Sequence, residues 1–540
     1  MFCKCRPTLL LCGLSYTAII LGVTGACSPE HYKAQADKDV YQILDKKWQP
    51  KFGPKANYKI SDVTPSPNDI NIPSTVPSES ILSLAEAVTL ATAYNRDYQT
   101  QKENLYLSAL DLTSVRHQFT RNWFATIDST YDSVAGDQSI NTTGAIGFNQ
   151  ILATGAQIST NIALDWSQFI TGNPQTTLRS VLSATVTQPL LAGSGQAVVQ
   201  EGLTQAERNV LYQLRAFNFF RQTFVVSIVN DYYRVLQQRD VVTNQENNYK
   251  RRLESQERLE MEAQAGRRPP IEVDQAMQDV LSAKDTYVQA QQNYKQALDS
   301  FKIRLALPTD ANIVLDQNEL KGLAQLPITD PDYTLDMAVE TGLIRRLDLA
   351  TTADRIDDAV RKIVVAESFL GAVLDLVASA NVGSRPINDF PNLQFEEGRY
   401  QAGIHAELPL DRLIQRNAYR EALIVLEQQR REYENSVDVV KLEVRDDYRS
   451  LIETAERYNI QKNSLALAEK RVESTSMLIQ AGQLTARDLL EAQDDLVDAQ
   501  NNLTAVLVDH TIAKLRFFQD IGVLQVKPDG MWQLDNTQGT

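Results

Sequence analysis

Two stretches of this chain carry the same heptad pattern, and that duplication constrains the fold more than any other feature. Apolar and small residues recur at alternating spacings of three and four in both stretches. In the first they are Val273, Ala276, Val280, Ala283, Tyr287, Ala290, Tyr294, Ala297 and Phe301; in the second, Leu489, Ala492, Leu496, Ala499, Leu503, Val506, His510, Ala513 and Phe517. Such alternation predicts helices that pack along a narrow seam. The matched register predicts an internal repeat of long helices.

A glycine interrupts the helical pattern once in each half. Gly266 stands in "QAGRRPPIEVDQAM" and Gly482 in "QAGQLTARDLLEAQ", each at the same distance before its heptad series. Glycine adopts the left-handed conformation at low cost, and helix ends commonly need that conformation. We therefore predict that each glycine lies at the tip of an antiparallel helical hairpin. The helix that descends to the first tip, from about Ala197 to Gln264, would be about 100 Å long.

Ahead of these hairpins the pattern changes to period two, which predicts strands with one apolar and one polar face. The predicted strands, two in each half, are Ala156 to Trp166, Leu178 to Gln188, Leu374 to Val382 and Tyr400 to Leu408. Each half also opens on a helix, because Ser83 and Thr334 both precede a Leu-x-x-Ala-Val pattern. Each half thus reads as helix, strand, loop, strand and helix. Strands of this length can cross a bilayer when tilted, but four of them leave open edges, so closure requires several chains.

The amino terminus carries an export signal. Lys4 and Arg6 precede an apolar run, which ends at the sequence Thr24-Gly25-Ala26-Cys27. This order predicts a signal peptide over residues 1–26. The end of the run is similar to a bacterial lipobox, in which Cys27 would become the lipidated first residue. Thr24 departs from that pattern, so ordinary cleavage and a retained anchor stay open as alternatives.

Charge and composition exclude several classes of function. A net charge of -15 leaves no basic surface for a nucleic acid. The four cysteines all lie at or before position 27, so the mature chain has no thiol pair for a disulfide or a zinc site. The four histidines show no metal-ligand spacing and no glycine-rich nucleotide loop accompanies them. We therefore predict no enzymatic activity, no cofactor and no metal site, and a packing role for His510 on its seam.

The combined order of these features resembles the TolC-like outer-membrane efflux proteins, which include outer membrane factor lipoproteins. The resemblance rests on the duplicated unit, the two glycine tips and the stretches that follow the strand pairs, "TQPLLAGSGQAVVQEG" from Thr187 and "ELPLDRLIQRNAYREA" from Glu407. It covers about Leu82 to Val523. It implies a mainly α fold with membrane β-barrel strands, in which a homotrimer pools twelve strands into one barrel above a tunnel of coiled-coil helical hairpins.

The resemblance also implies a function and partners. The chain would be the exit duct of a tripartite efflux or type I secretion system, placed in outer-membrane lipid by its strands and its lipid anchor and extending into the periplasm. Its hairpin tips would dock to a periplasmic adaptor, a membrane fusion protein, and so to an inner-membrane transporter. The tip residues expected in docking are Gly266, Arg267, Gly482, Gln483 and Leu484.

The resemblance assigns a set of acids to the periplasmic entrance. Alignment on the tip glycines places them at Glu272, Asp488 and Glu491. Rings of carboxylates in a narrow aperture would attract cations and raise one another's pKa values. The alternative is that acids in the first turn of any helix are favoured by its dipole. Leu484 stands where the family often has a latch arginine; Arg487, or Arg267 and Arg268 in the other tip, are the available replacements.

The expected organisation follows from these elements. It comprises a signal peptide (1–26), a proline-rich, lipid-anchored extended tether with little core (27–80), the first repeat (81–310), a connecting equatorial segment (311–332), the second repeat (333–523) and a carboxy-terminal tail (524–540). The rival function is a structural periplasmic coiled-coil lipoprotein without a channel. That rival predicts that the apolar strand faces pack on protein.

Overall fold

The computed structural model describes residues 28–60, 81–171, 176–328, 332–385, 389–481 and 483–534. The expected signal peptide and Cys27 lie outside these residues. The helices are α1 Pro29–Lys47, α2 Leu84–Tyr94, α3 Arg96–Gln118, α4 Gln196–Val199, α5 Glu201–Gln264, α6 Pro270–Arg304, α7 Gln317–Gln325, α8 Leu335–Arg345, α9 Leu347–Ser368, α10 Leu413–Gln480 and α11 Ala486–Asp520. The strands are β1 Ile81–Leu82, β2 Asn122–Val134, β3 Asp137–Ile151, β4 Gln157–Phe169, β5 Thr176–Pro189, β6 Val314–Leu315, β7 Val373–Arg385, β8 Asp389–Leu393, β9 Arg399–Glu407, β10 Leu524–Val526 and β11 Trp532–Leu534.

Two long helical hairpins dominate the molecule, as the heptads predict. Helix α5 pairs with α6, and α10 pairs with α11. The 64 residues of α5 correspond to about 96 Å. The alanines of both seams, such as Ala276 and Ala492, are buried, and these small side chains let the paired helices approach closely. In the described part of the chain no helix combines the length and the apolar composition that crossing a membrane requires.

Each repeat begins with a capped helix, which confirms that prediction. At the start of α2 the Glu86 amide donates to Ser83 Oγ at 3.3 Å, and the Ser83 amide donates back to Glu86 Oε2 at 2.9 Å. At the start of α8 the Met337 amide donates to Thr334 Oγ1 at 3.4 Å. In each repeat the capped short helix is followed by a longer one, α3 or α9, and the strands begin after that longer helix.

The strands of both halves form one antiparallel sheet in the order β2-β3-β4-β5-β7-β9. The halves join where β5 pairs with β7, from Val181 opposite Gly383 to Pro189 opposite Asp375. The short strand β8 pairs with the last residues of β7, Ser384 and Arg385. Strand β9 pairs with the preceding residues of β7, from Val373 to Asn381. All four predicted strands are present, as β4, β5, β7 and β9.

The expected count of two strands in the first half is wrong. An additional hairpin, β2–β3, precedes β4, so the first half contributes four strands and the chain contributes six long ones. The twelve-stranded barrel that the resemblance implies requires only four strands from each of three chains. The hairpin has weak alternation because small residues such as Ala125 and Ser129 separate Trp123, Ile127 and Tyr131 on its apolar face.

A large apolar core surrounds the middle of α5. Its largest buried side chains on that helix include Phe217, Ile228 and Tyr232. The parallel pair β1–β6 and the hairpin β10–β11 lie against it, so the connecting segment and the carboxy-terminal tail both pack here. Arg221 and Gln222 of α5 donate to tail carbonyl oxygens at 2.7 Å and 2.6 Å. The structure thus places the equatorial segments around the midpoint of the long helices.

The expectation of an extended tether with little core is wrong for residues 29–47. They form helix α1, which packs on α3 with Val40 and Leu44 fully buried. Asp37 accepts a hydrogen bond from Tyr106 at 2.8 Å, which ties α1 to α3. The helix forms because Val40, Ile43 and Leu44 share one face and the prolines that suggested an extended chain begin only after it. Residues 61–80 of the expected tether lie outside the described residues.

The hairpin tips as the candidate functional site

The first tip is closed by backbone hydrogen bonds that depend on its glycine. Gly266 has a φ of 69°. Its amide donates to the carbonyl of Ala263 at 2.9 Å, and the Arg267 amide donates to the carbonyl of Glu262 at 2.9 Å. Together these bonds form the left-handed helix ending that glycine favours. The predicted role of Gly266 as a turning point is confirmed, and Gly266 and Arg267 are both exposed.

The second tip repeats one of these bonds. The Gln483 amide donates to the carbonyl of Leu478 at 2.9 Å, which is the counterpart of the bond from Arg267 to Glu262. Gly482 itself lies outside the described residues. Gln483 is exposed and Leu484 is half-buried. Because the bond recurs, both hairpins turn at matched positions of the repeat.

The two tips pack together as one four-helix end. A cavity of about 30 Å³ lies between them, and Leu259, Ala276, Ile479 and Leu489 line it, one from each long helix. Four polar contacts join α5 to α11 above this point. They are Arg234 with Asp509 at 2.5 Å, Asp240 with Thr504 at 2.7 Å, Asn244 with Asn501 at 2.9 Å, and Arg252 with Asp494.

Sequence reasoning missed this row of contacts between the hairpins. Its signal is visible on α5, where polar Asp240, Asn244, Asn248 and Arg252 recur every four residues on one face. Arg252 and Asn248 are buried there. The sequence gives no partner for Asp240, Asn244 or Arg252, because each partner lies more than two hundred residues away. The row fixes the register of one hairpin against the other.

Glu272 is held within the first tip. It accepts a hydrogen bond from Arg268 Nη1 at 3.4 Å, while Arg268 Nε donates to Glu262 Oε2 at 3.1 Å. Arg268 thus bridges the last turn of α5 and the first turn of α6. Of the three arginines expected as a replacement latch, Arg268 is the one that the structure pairs with an acid expected at the entrance, Glu272.

Asp488 caps the helix that leaves the second tip. Its Oδ2 accepts hydrogen bonds from Thr485 Oγ1 at 2.6 Å and from the Thr485 amide at 2.8 Å. The hydrogen bonds from the Thr485 side chain and amide lower the pKa of Asp488, and the positive charges of Arg487 and Arg471 lower it further. In this chain Asp488 therefore stays ionised at neutral pH, whereas mutual repulsion in a carboxylate ring would raise its pKa.

Glu491 is bound across the second hairpin. Arg471 of α10 donates to Glu491 Oε1 at 3.0 Å and also contacts Asp495. Glu272 and Glu491 therefore belong to separate ion-pair groups, because Arg268 and Arg471 lie on different hairpins. Among the described residues, no three His, Asp or Glu side chains are grouped as ligands for a metal ion.

The first turns of α11, about four in all, carry more acids than the matched turns of α6. The exposed acids are Glu491, Asp494, Asp495 and Asp498, whereas the matched positions of α6 are Gln275, Gln278, Asp279 and Ser282. Partial burial raises the pKa of Asp498, and the negative charges of Asp494 and Asp495 raise it further. The start of α11 is thus more acidic than the start of α6, and this run of acids can attract cations.

Comparisons with known proteins agree with this architecture. Residues 338–522 match the family model described as outer membrane efflux protein. No curated protein sequence matches the chain. Among solved structures, the Campylobacter jejuni CmeC outer membrane channel is 13% identical with a TM-score of 0.59, over 91% of this chain and 93% of that one. The open state of the Neisseria gonorrhoeae MtrE outer membrane channel is 13% identical with a TM-score of 0.60, over 83% and 90%. The outer membrane protein VceC of Vibrio cholerae is 14% identical with a TM-score of 0.59, over 81% and 96%.

Proposed function

Because residues 338–522 belong to the outer membrane efflux proteins and the chain has the fold of TolC-like outer-membrane channels, we propose that it is the exit duct of a tripartite efflux or type I secretion system. One observation carries this proposal. A sheet with one apolar and one polar face continues into helical hairpins of about 96 Å, so the molecule has a part suited to a bilayer and a part long enough to reach across the periplasm.

The two faces of the sheet differ throughout its width. The apolar face carries exposed side chains on successive strands, such as Ile127 on β2 (62% exposed) and Ile404 on β9 (69% exposed). The opposite face carries Asn161, Asp165, Ser183 and other polar residues. The rival function, a structural spacer, requires that protein packs against the apolar face. In the described residues these side chains remain open, which favours contact with lipid.

We assign the contact between copies to a stripe on α10. The stripe is formed by exposed apolar residues at spacings of whole helical turns: Leu413, Ile424, Leu442, Ile460, Leu467 and Leu478. It runs the length of the helix on the side opposite the seam with α11, where Val444 and Leu451 are buried. An apolar stripe of this length needs a partner in water. A homotrimer that closes the tunnel supplies one.

The hairpin tips are the proposed docking surface for a periplasmic adaptor and, through it, an inner-membrane transporter. Arg267 and Gln483 are exposed there, beside Gly266, Gly482 and Leu484, and both tips turn at the same level of the repeat. Cys27 is the proposed site of the lipid that anchors the chain in the outer membrane. The fold and the family are those of channels, which supports a transport role without enzymatic activity.

Glu272, Asp488 and Glu491 are the proposed acids of the periplasmic entrance. The acidic run on α11 supports this role, because the matched positions of the first repeat are mostly neutral. Each of the three acids also stabilises its own tip. Removing one therefore changes both the charge of the entrance and the stability of the closed end.

Single-channel conductance in planar bilayers tests the function. The purified, detergent-extracted protein should form discrete cation-preferring channels. The double variant Asp488→Asn and Glu491→Gln keeps the shape of both side chains, and its preference for cations should fall several-fold because two charges per chain are lost. Glu453→Gln, an exposed acid in the middle of α10, is the matched control and should leave selectivity unchanged. A folded oligomer that never conducts, in either form, would favour the structural spacer.

A further inference from the structure

The additional hairpin β2–β3 changes the membrane part of the assembly. Resting on the proposed function, we infer that this hairpin is part of the barrel wall and that β9 of one copy pairs with β2 of the next. Three copies of the chain, with six strands each, then close a barrel of eighteen strands.

The hairpin is paired along its whole length with the rest of the sheet. Strand β3 pairs with β4 from Ser139 opposite Phe169 to Ile151 opposite Gln157, which is as long as its pairing with β2. At Gly147 the two strands approach so closely that an added Cβ would lie 2.7 Å from the Cβ of Asn161. The hairpin is therefore a continuous part of the sheet rather than a flap attached at one end.

Both faces of the sheet continue across the hairpin without a change of side. On the apolar face Trp123 is 68% exposed, and its ring lies 5.1 Å from that of Phe148 on β3. On the polar face Asn141 donates to Asp132 at 2.8 Å and accepts from Ser167 at 2.5 Å, which links β2, β3 and β4. If the hairpin lay outside the barrel wall, we would not expect its apolar and polar faces to match those of β4.

The two edge strands of the sheet, β2 and β9, can pair with each other between neighbouring copies. Within the described chain β2 pairs only with β3, and β9 only with β7. Because the six strands alternate in direction, β2 and β9 run in opposite directions, so edges of neighbouring copies can pair as antiparallel strands. Unpaired backbone groups are not tolerated in hydrocarbon, and a second copy is the partner that the symmetry of a closed ring supplies.

Charges at one end of the two edges fit the same pairing. Asp132 lies near the end of β2 and Arg399 at the start of β9, both on the polar face, and antiparallel pairing of β9 with β2 brings these two ends together. Pairing β9 with β4 instead would require β3 to leave the edge that it occupies over the full length of β4. Since barrel diameter grows about linearly with strand number, the membrane section would be about 1.5-fold wider than one of twelve strands.

Disulfide trapping in the full-length assembly tests this inference. Gln401→Cys on β9 is combined with Phe124→Cys, Thr126→Cys or Asp128→Cys on β2, and in a matched set with Ser159→Cys, Asn161→Cys or Asp165→Cys on β4. All of these positions lie on the polar face. We expect oxidised covalent trimers from at least one β2 pair and from no β4 pair, with every single-cysteine variant remaining uncrosslinked.

The outcomes separate the inference from the proposed function. Trimers that conduct but crosslink through β4, or that crosslink through no β2 position, would overturn the eighteen-stranded wall and leave the exit duct intact. Wild-type protein that neither conducts nor forms trimers would overturn the proposed function and the inference with it. Conductance of each variant is recorded under reducing conditions, so that loss of folding is detected before crosslinking is scored.

Discussion

At the scale of single residues, the end of the first repeat carries a strained alanine. Ala306 has a φ of 59°, and the matched residue of the second repeat is Gly522 with a φ of 73°. The hydrogen bonds around them correspond, from the Leu307 amide to the Lys302 carbonyl at 2.9 Å and from the Val523 amide to the Phe518 carbonyl at 3.0 Å. The two helices therefore end in the same way, and only the first places a Cβ in a left-handed conformation.

Ala306→Gly should stabilise the protein by about 1 kcal/mol, because glycine relieves the left-handed strain. The denaturant midpoint of the purified oligomer measures this. Gly522→Ala is the matched control of opposite sign, and its added Cβ would lie 3.0 Å from that of Arg345. A lower midpoint for Ala306→Gly would show that the alanine is not strained.

A second residue-scale feature is a pair of carboxyl groups between α10 and α11. Burial raises the pKa of Asp520 to about 8, and the neighbouring Asp447 contributes to the rise. Asp447 Oδ2 is buried without a hydrogen-bond donor, so a proton on one of the two carboxyls is needed to join them. The folded state thus holds a proton that the unfolded chain releases near pH 4.

This pair predicts a stability that falls as pH rises. Because the pKa of Asp520 is raised by folding, its contribution is complete below about pH 4 and is lost as pH rises through about 8. Asp520→Asn carries a donor at every pH, so its thermal midpoint should fall less between pH 5 and pH 9 than that of the wild type. Asp446→Asn, which removes an exposed acid paired with Arg449, should follow the wild type. Equal slopes for Asp520→Asn and the wild type would refute the shared proton.

At the scale of elements, the two longest helices are covered very differently. Helix α5 buries large side chains such as Phe217 and Tyr232 against α2, α3 and the equatorial strands, so its middle is enclosed within one chain. Helix α10 buries its seam with α11 and leaves the opposite stripe open. The two helices occupy matched places in the repeat, so this difference supports the proposal that α10 contacts another copy.

Ile460→Asp combined with Leu467→Asp should weaken the trimer by an order of magnitude or more. These residues are 56% and 66% exposed in one chain, and the substitution would place charges within the proposed contact. Sedimentation or native mass measurement in detergent detects the shift to monomers. Asn459→Asp, an exposed change about 100° around the helix from the stripe, should leave the trimer intact. Trimers that resist the double substitution would place the contact on another face.

At the scale of the whole molecule, the parts that could be predicted from sequence are those that depend on local periodicity. The heptads fixed both hairpins, Gly266 fixed the first tip, and alternation located β4, β5, β7 and β9. The hairpin β2–β3 could not be predicted, because Ser129, Thr142 and Gly144 interrupt its apolar face. Helix α1 is hard to predict because the prolines that follow it favour an extended chain.

Contacts between distant segments could not be predicted from the sequence, for a different reason. Arg252 meets Asp494, and Arg471 meets Glu491, only once the helices have been set side by side. A charged residue on a helix face has many possible partners in a chain of this length, and the sequence pattern does not choose among them. The sequence therefore shows that Glu272 and Glu491 lie close to the tip glycines, but the arginines that bind them, Arg268 and Arg471, appear only in the structure.

The pairing of β5 with β7 has a consequence for how the chain is made. Val181 meets Gly383, about 200 residues later, so the edge of β5 emerges long before the strand that covers it. At about 5–20 residues per second, synthesis leaves that edge bare for about 10–40 s. An uncovered strand edge recruits other strands. Until its second half has been made, the chain therefore leaves the edge of β5 open to pairing with strands of other chains.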